Sequence, residues 1–153
     1  METAEFLKKK RQTIFSLIDR RFVKFFSDPK AECEGKTTGY LGSWDYPEIM
    51  ENFRVEVVRE YIAVHKQEGR SEVKPVWAEM REKYFNGRSY VYPDEMIKHL
   101  NSFDSREIIG FLHYCTVYKE RFHSGAYGVY AKEGYIGKLL LKLKEIKDSN
   151  NQL

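Results

Sequence analysis

The stretch YKERFHSG, residues 118–125, collects side chains that could take part in catalysis. It holds a lysine, a glutamate, an arginine and a histidine directly after an apolar run. On an α-helix, Glu120 lines up with His113 and Arg106, because these residues are spaced seven apart. An imidazole next to a carboxylate in a buried site can act as a general acid-base pair near neutral pH. Arg106, His113 and Glu120 are therefore the candidate catalytic residues.

The same row of residues also has a structural interpretation. From Phe111 to Val117 the sequence is apolar almost all round the helix, which is typical of a central helix. A central helix would draw His113 and Glu120 partly inside, where each needs a partner because an unpaired buried charge is costly. We expect the two residues to form an internal polar network that fixes how the last helices dock, with the acid-base pair as the alternative.

One enzyme class is compatible with this row. The segments REIIGFLH, from Arg106 to His113, and REYIAVH, from Arg59 to His65, each place an arginine a few residues before a histidine. In this they resemble small all-α ribonucleases of the HEPN type, although such pairs also arise by chance and a glutamate follows each arginine here. The resemblance implies a metal-independent ribonuclease in which His113 acts with Arg106 or Glu120.

Other common motifs for chemistry are missing from the sequence. The four histidines show no H-x-x-x-H spacing, and there is no P-loop, G-x-S-x-G or G-x-G-x-x-G. The two cysteines are far apart, and Cys115 lies in an apolar stretch where a small buried side chain is the expected role. We expect no metal site and no cofactor.

A second group of candidates is the segment KYFNGRSYVYP, residues 83–93, where tyrosines alternate with basic residues. Aromatic rings beside cations can stack on nucleobases and hold phosphates, or can anchor a protein interface; the alternative is a loop that only packs on the core. The exposed side of YKERFHSG adds further cationic groups, although His123 would also suit a helix C-terminus. The tyrosine-rich segment and the exposed side of YKERFHSG are the binding surfaces that we expect. Their binding residues are Tyr84, Arg88, Tyr90, Tyr92, Lys119, Arg121 and His123.

The elements that must position these residues are helices. Apolar residues recur at three- and four-residue steps over most of the chain. We expect an all-α single domain, residues 1–153, of six or seven helices around one core, with the last few residues frayed. Four of the predicted helices cover residues 3–26, 47–69, 75–85 and 104–124. A short helix begins at residue 93, another short helix ends at residue 133, and a last helix completes the chain.

Glycines and helix-capping residues predict the boundaries between these helices. A long loop, about residues 27–46, is rich in glycine, and the tyrosine-rich segment 84–92 includes a short extended stretch. Asp104 and Glu107 have the spacing of a capping box, Gly125 should stop or bend the helix that follows, and Gly134 should cap the next one.

Composition narrows the class of protein further. The chain has 153 residues, a net charge of +3 and 15% aromatic residues. This charge permits a nucleic-acid partner but is far from the strongly basic field of a dedicated binder. No apolar run approaches the roughly 20 residues of a membrane span, and the N-terminal sequence METAEFLKKKRQ has no secretory signal. We expect a cytoplasmic protein without membrane contact.

The last third of the chain combines an apolar helix, the motif E-R-F-x-x-G, a second glycine and a leucine-rich helix. Over about residues 108–146 this arrangement resembles a family of small bacterial and phage proteins classed as domain of unknown function 6508. The matching positions are Glu120, Arg121, Phe122, Gly125, Gly134, Leu139, Leu140 and Leu143. The family has no assigned reaction, so the resemblance implies only a small accessory protein of phages or mobile elements that binds a host or defence complex.

The sequence therefore predicts an inhibitor or adaptor that binds a protein or nucleoprotein partner without a cofactor. Two alternatives stay open at this point: the metal-independent ribonuclease and a direct nucleic-acid binder.

Overall fold

The computed structural model of the protein describes residues 16–28, 36–37, 44–67 and 74–151, and these are almost entirely helical. The elements in chain order are α1 (Arg20–Ser27), β1 (Lys36–Thr37), β2 (Trp44–Asp45), α2 (Glu48–Gln67), α3 (Val76–Phe85), α4 (Pro93–Met96), a 3₁₀ segment (Ile97–Ser102), α5 (Ser105–His113), a π-helical turn (Tyr114–Tyr118), α6 (Lys119–Phe122), α7 (Ala126–Lys132) and α8 (Tyr135–Asn151). When the runs Pro93–Ser102 and Ser105–Phe122 each count as one, seven helical segments follow Asp19 in the described ranges. The all-α prediction is confirmed.

The predicted helix over residues 3–26 is wrong in one respect, because it is interrupted before α1. Residues 16 and 17 are helical, the chain then leaves the helix, and Asp19 starts a new one as the N-cap of α1. The Asp19 carboxylate accepts a hydrogen bond from the backbone N–H of Arg21 at 2.9 Å. Such a cap satisfies a free N–H of the first turn, an effect that apolar spacing does not report. Residues 3–15 lie outside the described residues.

The predicted loop of residues 27–46 contains a minimal antiparallel ladder. Lys36 pairs with Asp45 and Thr37 pairs with Trp44, so β1 and β2 are two residues long each. Glycine content predicts the break between helices but not this pairing. The rest of the loop, residues 29–35 and 38–43, lies outside the described residues, as do residues 152–153 of the terminus that we expected to fray.

α5 is the central helix of the fold. It packs against α2, α3 and α8, and every residue from Ile108 to Leu112 is buried. It begins with the predicted capping box: Asp104 accepts from the Glu107 N–H at 2.8 Å, and Glu107 accepts from the Asp104 N–H at 3.1 Å. A Cβ atom on Gly110 would overlap the Val76 side chain, so the glycine permits α3 to approach α5 closely.

The helix after α5 departs from ideal α geometry. Residues 114–118 form a π-helical turn, in which the Lys119 N–H bonds to the carbonyl of Tyr114 five residues back. The Thr116 hydroxyl donates to the Leu112 carbonyl at 2.8 Å and so gives this carbonyl a partner beside the widened turn. A π turn holds one residue more than an α turn, so the residues that follow are rotated by about 100° from their α-helical positions.

The two glycine boundaries in the last third are confirmed. Gly125 has φ +93° and precedes α7, and Gly134 has φ +85° and separates α7 from α8. α8 then packs back against α1, α5 and α7. The buried apolar residues of all these helices form one continuous core, with Phe26, Phe53, Phe111 and Tyr127 among its largest members. Within the described ranges, no helix combines the length and apolarity that crossing a membrane requires.

Candidate functional site

Glu120 is the centre of a hydrogen-bonded network that joins three parts of the chain. Its Oε1 accepts from the Tyr46 hydroxyl at 2.8 Å and from the Gly125 N–H at 2.9 Å, and its Oε2 accepts from the Tyr127 N–H at 2.8 Å. Three donors satisfy this carboxylate well, since hydrogen bonds to a charged acceptor are stronger than neutral ones. We call Glu120, Tyr46, Gly125 and Tyr127 the Glu120 clamp.

Two tyrosine rings extend the Glu120 clamp into the core. The rings of Tyr46 and Tyr127 lie 5.0 Å apart, and the Arg54 guanidinium lies 5.8 Å from each ring centre. The Tyr127 hydroxyl donates to the Met50 carbonyl at 2.8 Å. Burial, together with the hydrogen bond to Glu120, raises the pKa of Tyr46, so its hydroxyl keeps the proton that it donates. The Glu120 clamp thus ties the start of α2 to the turn before α7.

His113 lies against a different group of rings. Its imidazole stacks on Tyr61 with ring centres 3.8 Å apart and planes within 8°, and His65 contacts the same tyrosine edge-on. Burial lowers the pKa of His113 to about 4, and the positive charges of Arg121 and His65 act in the same direction. A histidine with so low a pKa is a weak general base near neutral pH.

The structure separates the three candidate catalytic residues. Arg106 forms an ion pair with Glu79 at 2.6 Å, His113 stacks on Tyr61, and Glu120 belongs to the Glu120 clamp. Among the described residues, no hydrogen bond or ion pair joins any two of the three. The expected network between His113 and Glu120 is therefore wrong in its pairing. The cause is the π-helical turn between them, which rotates Glu120 away from the face of His113.

A row of four aromatic rings runs from the core to the surface beside this turn. Trp77 and Tyr114 stack with ring centres 3.7 Å apart, Tyr114 and Tyr118 are 5.6 Å apart, and Tyr118 and Phe122 are 5.2 Å apart. The first two rings are buried, whereas Tyr118 is 43% and Phe122 65% exposed. We call these four residues the aromatic ladder. Its outer half is an apolar surface that the fold leaves open.

Two adjoining cavities follow the aromatic ladder. The inner one, about 230 Å³, lies between Tyr61, Gly110 and His113, and the outer one, about 360 Å³, lies between Tyr90, Lys119 and His123. Trp77, Arg81, Tyr114 and Tyr118 line both cavities, so the two share a wall, and we treat them together as one region. We call it the aromatic cleft. Among the described residues, no aspartate or glutamate lines it.

The cations of the aromatic cleft are held by neutral groups. Arg81 Nη1 donates to the Ser89 carbonyl at 2.6 Å. Lys119 Nζ lies 5.3 Å from the centre of the Tyr90 ring and 3.4 Å from its hydroxyl. Neither cation has a carboxylate partner among the described residues, so the cleft carries a local positive charge next to exposed rings.

The structure brings some of the predicted binding residues together and places the others elsewhere. Tyr90, Lys119 and His123 line the aromatic cleft, and Tyr92 packs edge-on against Tyr90 at 4.7 Å. Tyr90 is 49% and Tyr92 57% exposed. These four predicted residues therefore share one surface.

The remaining three predicted residues have other surroundings. Tyr84 packs beside Phe103 and His99, and Arg88 forms an ion pair with Glu95 at 2.6 Å. Arg121 lines a separate shallow groove of about 530 Å³, together with Arg54, Val55, Val58, Val117 and Glu120. Tyr84, Arg88 and Arg121 therefore do not line the aromatic cleft, because their side chains have partners and surroundings in other parts of the fold.

Sequence reasoning did not identify Trp77 and Arg81, which line both cavities of the cleft. Trp77 and Arg81 come from α3, whose approach to α5 is a tertiary contact. A signal was nevertheless present, because Tyr114, Tyr118 and Phe122 are spaced four residues apart and such residues are neighbours on a helix. Cys115, by contrast, is fully buried as expected, and burial raises the pKa of its thiol.

Comparison with protein-family models, with curated proteins and with solved structures finds no match to this chain. The resemblance over residues 108–146 to domain of unknown function 6508 therefore stays a prediction. The described part of the chain also has no group of three or more histidine, cysteine, aspartate or glutamate side chains positioned to hold a metal ion.

Proposed function

We propose that the protein acts by binding a protein or nucleoprotein partner through the aromatic cleft, as an inhibitor or adaptor. One observation carries this proposal: three exposed rings, Tyr90, Tyr118 and Phe122, line one cleft together with two cations. Among the described residues, these cations have no carboxylate partner and the cleft has no acidic lining residue. Aromatic and basic residues in a partly enclosed depression are the groups that most often dominate binding energy. The resemblance to domain of unknown function 6508 supports an accessory role in a phage or mobile element, in the cytoplasm.

The test is a pull-down from the native host with three versions of the protein. Phe122→Ala removes the most exposed ring of the cleft, and Leu141→Ala removes a comparably exposed apolar side chain on α8. Quantitative mass spectrometry should find a partner retained by the wild type and by Leu141→Ala but lost with Phe122→Ala. Equal retention by all three would show that the cleft is not the binding surface.

The ribonuclease alternative requires His113 to work with Arg106 or Glu120, and the contacts of these residues do not support it. Incubation of the protein with mixed RNA and EDTA, alongside His113→Ala, provides the direct measurement. We expect no cleavage that depends on His113. Cleavage by the wild type that His113→Ala abolishes would replace the binding proposal with the enzymatic one.

A further inference from the structure

We infer that the aromatic cleft binds single-stranded nucleic acid, with a base stacked on the outer aromatic ladder and phosphates beside Arg81 and Lys119. This inference rests on the proposed function, since it names the chemical class of the ligand at the same site. It follows from the geometry of the rings, from the pairing of the cations and from the charge of the whole chain.

The aromatic ladder has the geometry of an unfinished stack. Its inner step, Trp77 on Tyr114, is nearly parallel at 10°, and the next step, Tyr114 to Tyr118, is tilted by only 24°. The stack reaches solvent at Tyr118, which is 43% exposed. The exposed ring of Phe122 is tilted by 56° to Tyr118 and borders the open end of the stack. A nucleobase is a flat ring that continues such a stack without sequence preference, because every base has a π-face.

The cations of the cleft differ from several basic residues of the same fold. Four of these have carboxylate partners: Lys83 with Glu107, Arg88 with Glu95, Arg106 with Glu79 and Arg54 with Glu51. Arg81 and Lys119 have only carbonyl, hydroxyl and ring contacts. His123 adds a hydrogen-bonding imidazole to the same lining. The site is therefore complementary to a ligand that has both an anionic group and a flat aromatic ring.

Two considerations favour a single strand over an acidic peptide or a duplex. A glutamate-rich peptide would use the cations but leave the ring faces of Tyr118, Phe122 and Tyr90 without flat partners. Bases in a duplex are already stacked, and side chains in a cleft reach only unstacked ones. The net charge of +3 also fits a short site that depends on stacking more than on long-range attraction.

The experiment uses the purified full chain and labelled oligonucleotides. A six-nucleotide oligouridylate or oligothymidylate with a 5′ fluorophore is titrated at 50 mM salt, and anisotropy is recorded. In a Trp44→Phe background, Trp77 is the only tryptophan, so its fluorescence reports binding beside the aromatic ladder. We expect saturable binding by both measurements.

Matched variants locate the binding site. Tyr118→Ala and Phe122→Ala should each weaken binding about 5- to 150-fold, the usual effect of losing one base-stacking ring. Lys119→Gln should weaken it too, whereas Leu141→Ala and the surface change Lys144→Gln should leave it unchanged. With two phosphate contacts to a single strand, raising the salt from 50 to 200 mM should weaken binding about sevenfold.

The outcomes separate this inference from the proposed function. Binding of oligoglutamate instead of the oligonucleotides, with loss in Phe122→Ala, would overturn the inference and keep the cleft as the binding surface of a protein partner. Oligonucleotide binding that the cleft variants do not change would overturn the inference, because the site would lie elsewhere. No binding of any probe would overturn it as well, and the pull-down with Phe122→Ala would then decide the proposed function alone.

Discussion

The Glu120 clamp and the aromatic cleft lie on two sides of the same short helix, α6, and they differ in how completely their groups are satisfied. In the clamp, both carboxylate oxygens of Glu120 accept hydrogen bonds, from three donors in all. In the cleft, the adjacent residue Lys119 has no carboxylate partner among the described residues, and Phe122 is 65% exposed. The Glu120 carboxylate is thus hydrogen-bonded within the fold through both oxygens, whereas the outer rings of the cleft are exposed.

This difference shows which of two neighbouring polar groups is available for function. A carboxylate whose hydrogen bonds are all used inside the fold stabilises the fold and has little capacity left for a ligand. Exposed rings and cations without acidic partners stabilise the fold little and retain their capacity for a partner. Substitutions in the two regions should therefore change different measurements.

The largest effect on stability is expected for Glu120→Ala. The substitution leaves the Tyr46 hydroxyl and the N–H groups of Gly125 and Tyr127 without their acceptor, which should cost about 2–4 kcal/mol of unfolding free energy. Urea unfolding followed by circular dichroism measures this cost. A loss below about 0.5 kcal/mol would mean that the clamp does not hold the fold together. At temperatures where the variant is folded, its ligand binding should match the wild type.

The pH dependence of stability tests whether the inner end of the cleft belongs to the core. The folded pKa of His113 is about 4, below the ordinary value of 6.5, so the unfolded state takes up a proton first as pH falls. The contribution of His113 to the free energy of unfolding is thus complete above pH 6.5 and is lost between that value and pH 4. The loss from pH 7 to pH 5 should be about 2 kcal/mol. His113→Phe keeps a ring on Tyr61 and should remove this part of the slope. An unchanged slope in the variant would assign it to other groups.

A smaller loss is expected for Gly125→Ala, which affects the backbone of the clamp. Gly125 has φ +93°, where a side chain costs about 1–2 kcal/mol. Thermal unfolding should measure this loss of stability. Gly128→Ala would be a poor control, because Gly128 is buried. Gly87→Ala is the better one: Gly87 also has a positive φ of +75°, but it lies in the turn after α3 and is not one of the three donors to Glu120. If the backbone strain is the whole effect, both variants should lose similar stability.

The smallest effect on stability is expected in the aromatic cleft. Phe122→Ala removes an exposed ring and should change the unfolding free energy by less than about 0.5 kcal/mol. The same variant should show the largest loss of ligand binding. A stability loss comparable to that of Glu120→Ala would contradict the distinction between the clamp and the cleft.

Local signals in the sequence predicted much of the fold. The capping box of Asp104 and Glu107, the stops at Gly125 and Gly134 and the central position of α5 are all confirmed. Each depends on contacts within a few residues, or on apolar residues that must be buried whatever they contact. The interruption at Asp19 was missed because a single side-chain cap competes with apolar periodicity without disturbing it.

The candidate sites were predicted less completely. Tyr90, Tyr92, Lys119 and His123 were identified from their residue types, and they do share a surface. Arg106, His113 and Glu120 were grouped by assuming a regular helix. The π-helical turn separates Glu120 from the other two, and within the regular helix α5 Arg106 pairs with Glu79 while His113 stacks on Tyr61. A widened turn depends on how the helix packs on both sides, so seven-residue spacing alone does not reveal it.

By itself, the sequence determined the all-α class, most helix boundaries and the aromatic and basic residues available for binding, because these depend on local conformation and side-chain chemistry. Only the tertiary structure decided which of those residues are used inside the fold and which face a cleft. The packing of α3 on α5 brings Trp77 and Arg81 beside Tyr114, and the π-helical turn directs Glu120 to Tyr46. Both are contacts between residues far apart in the chain, where the packing of whole helices outweighs the local pattern.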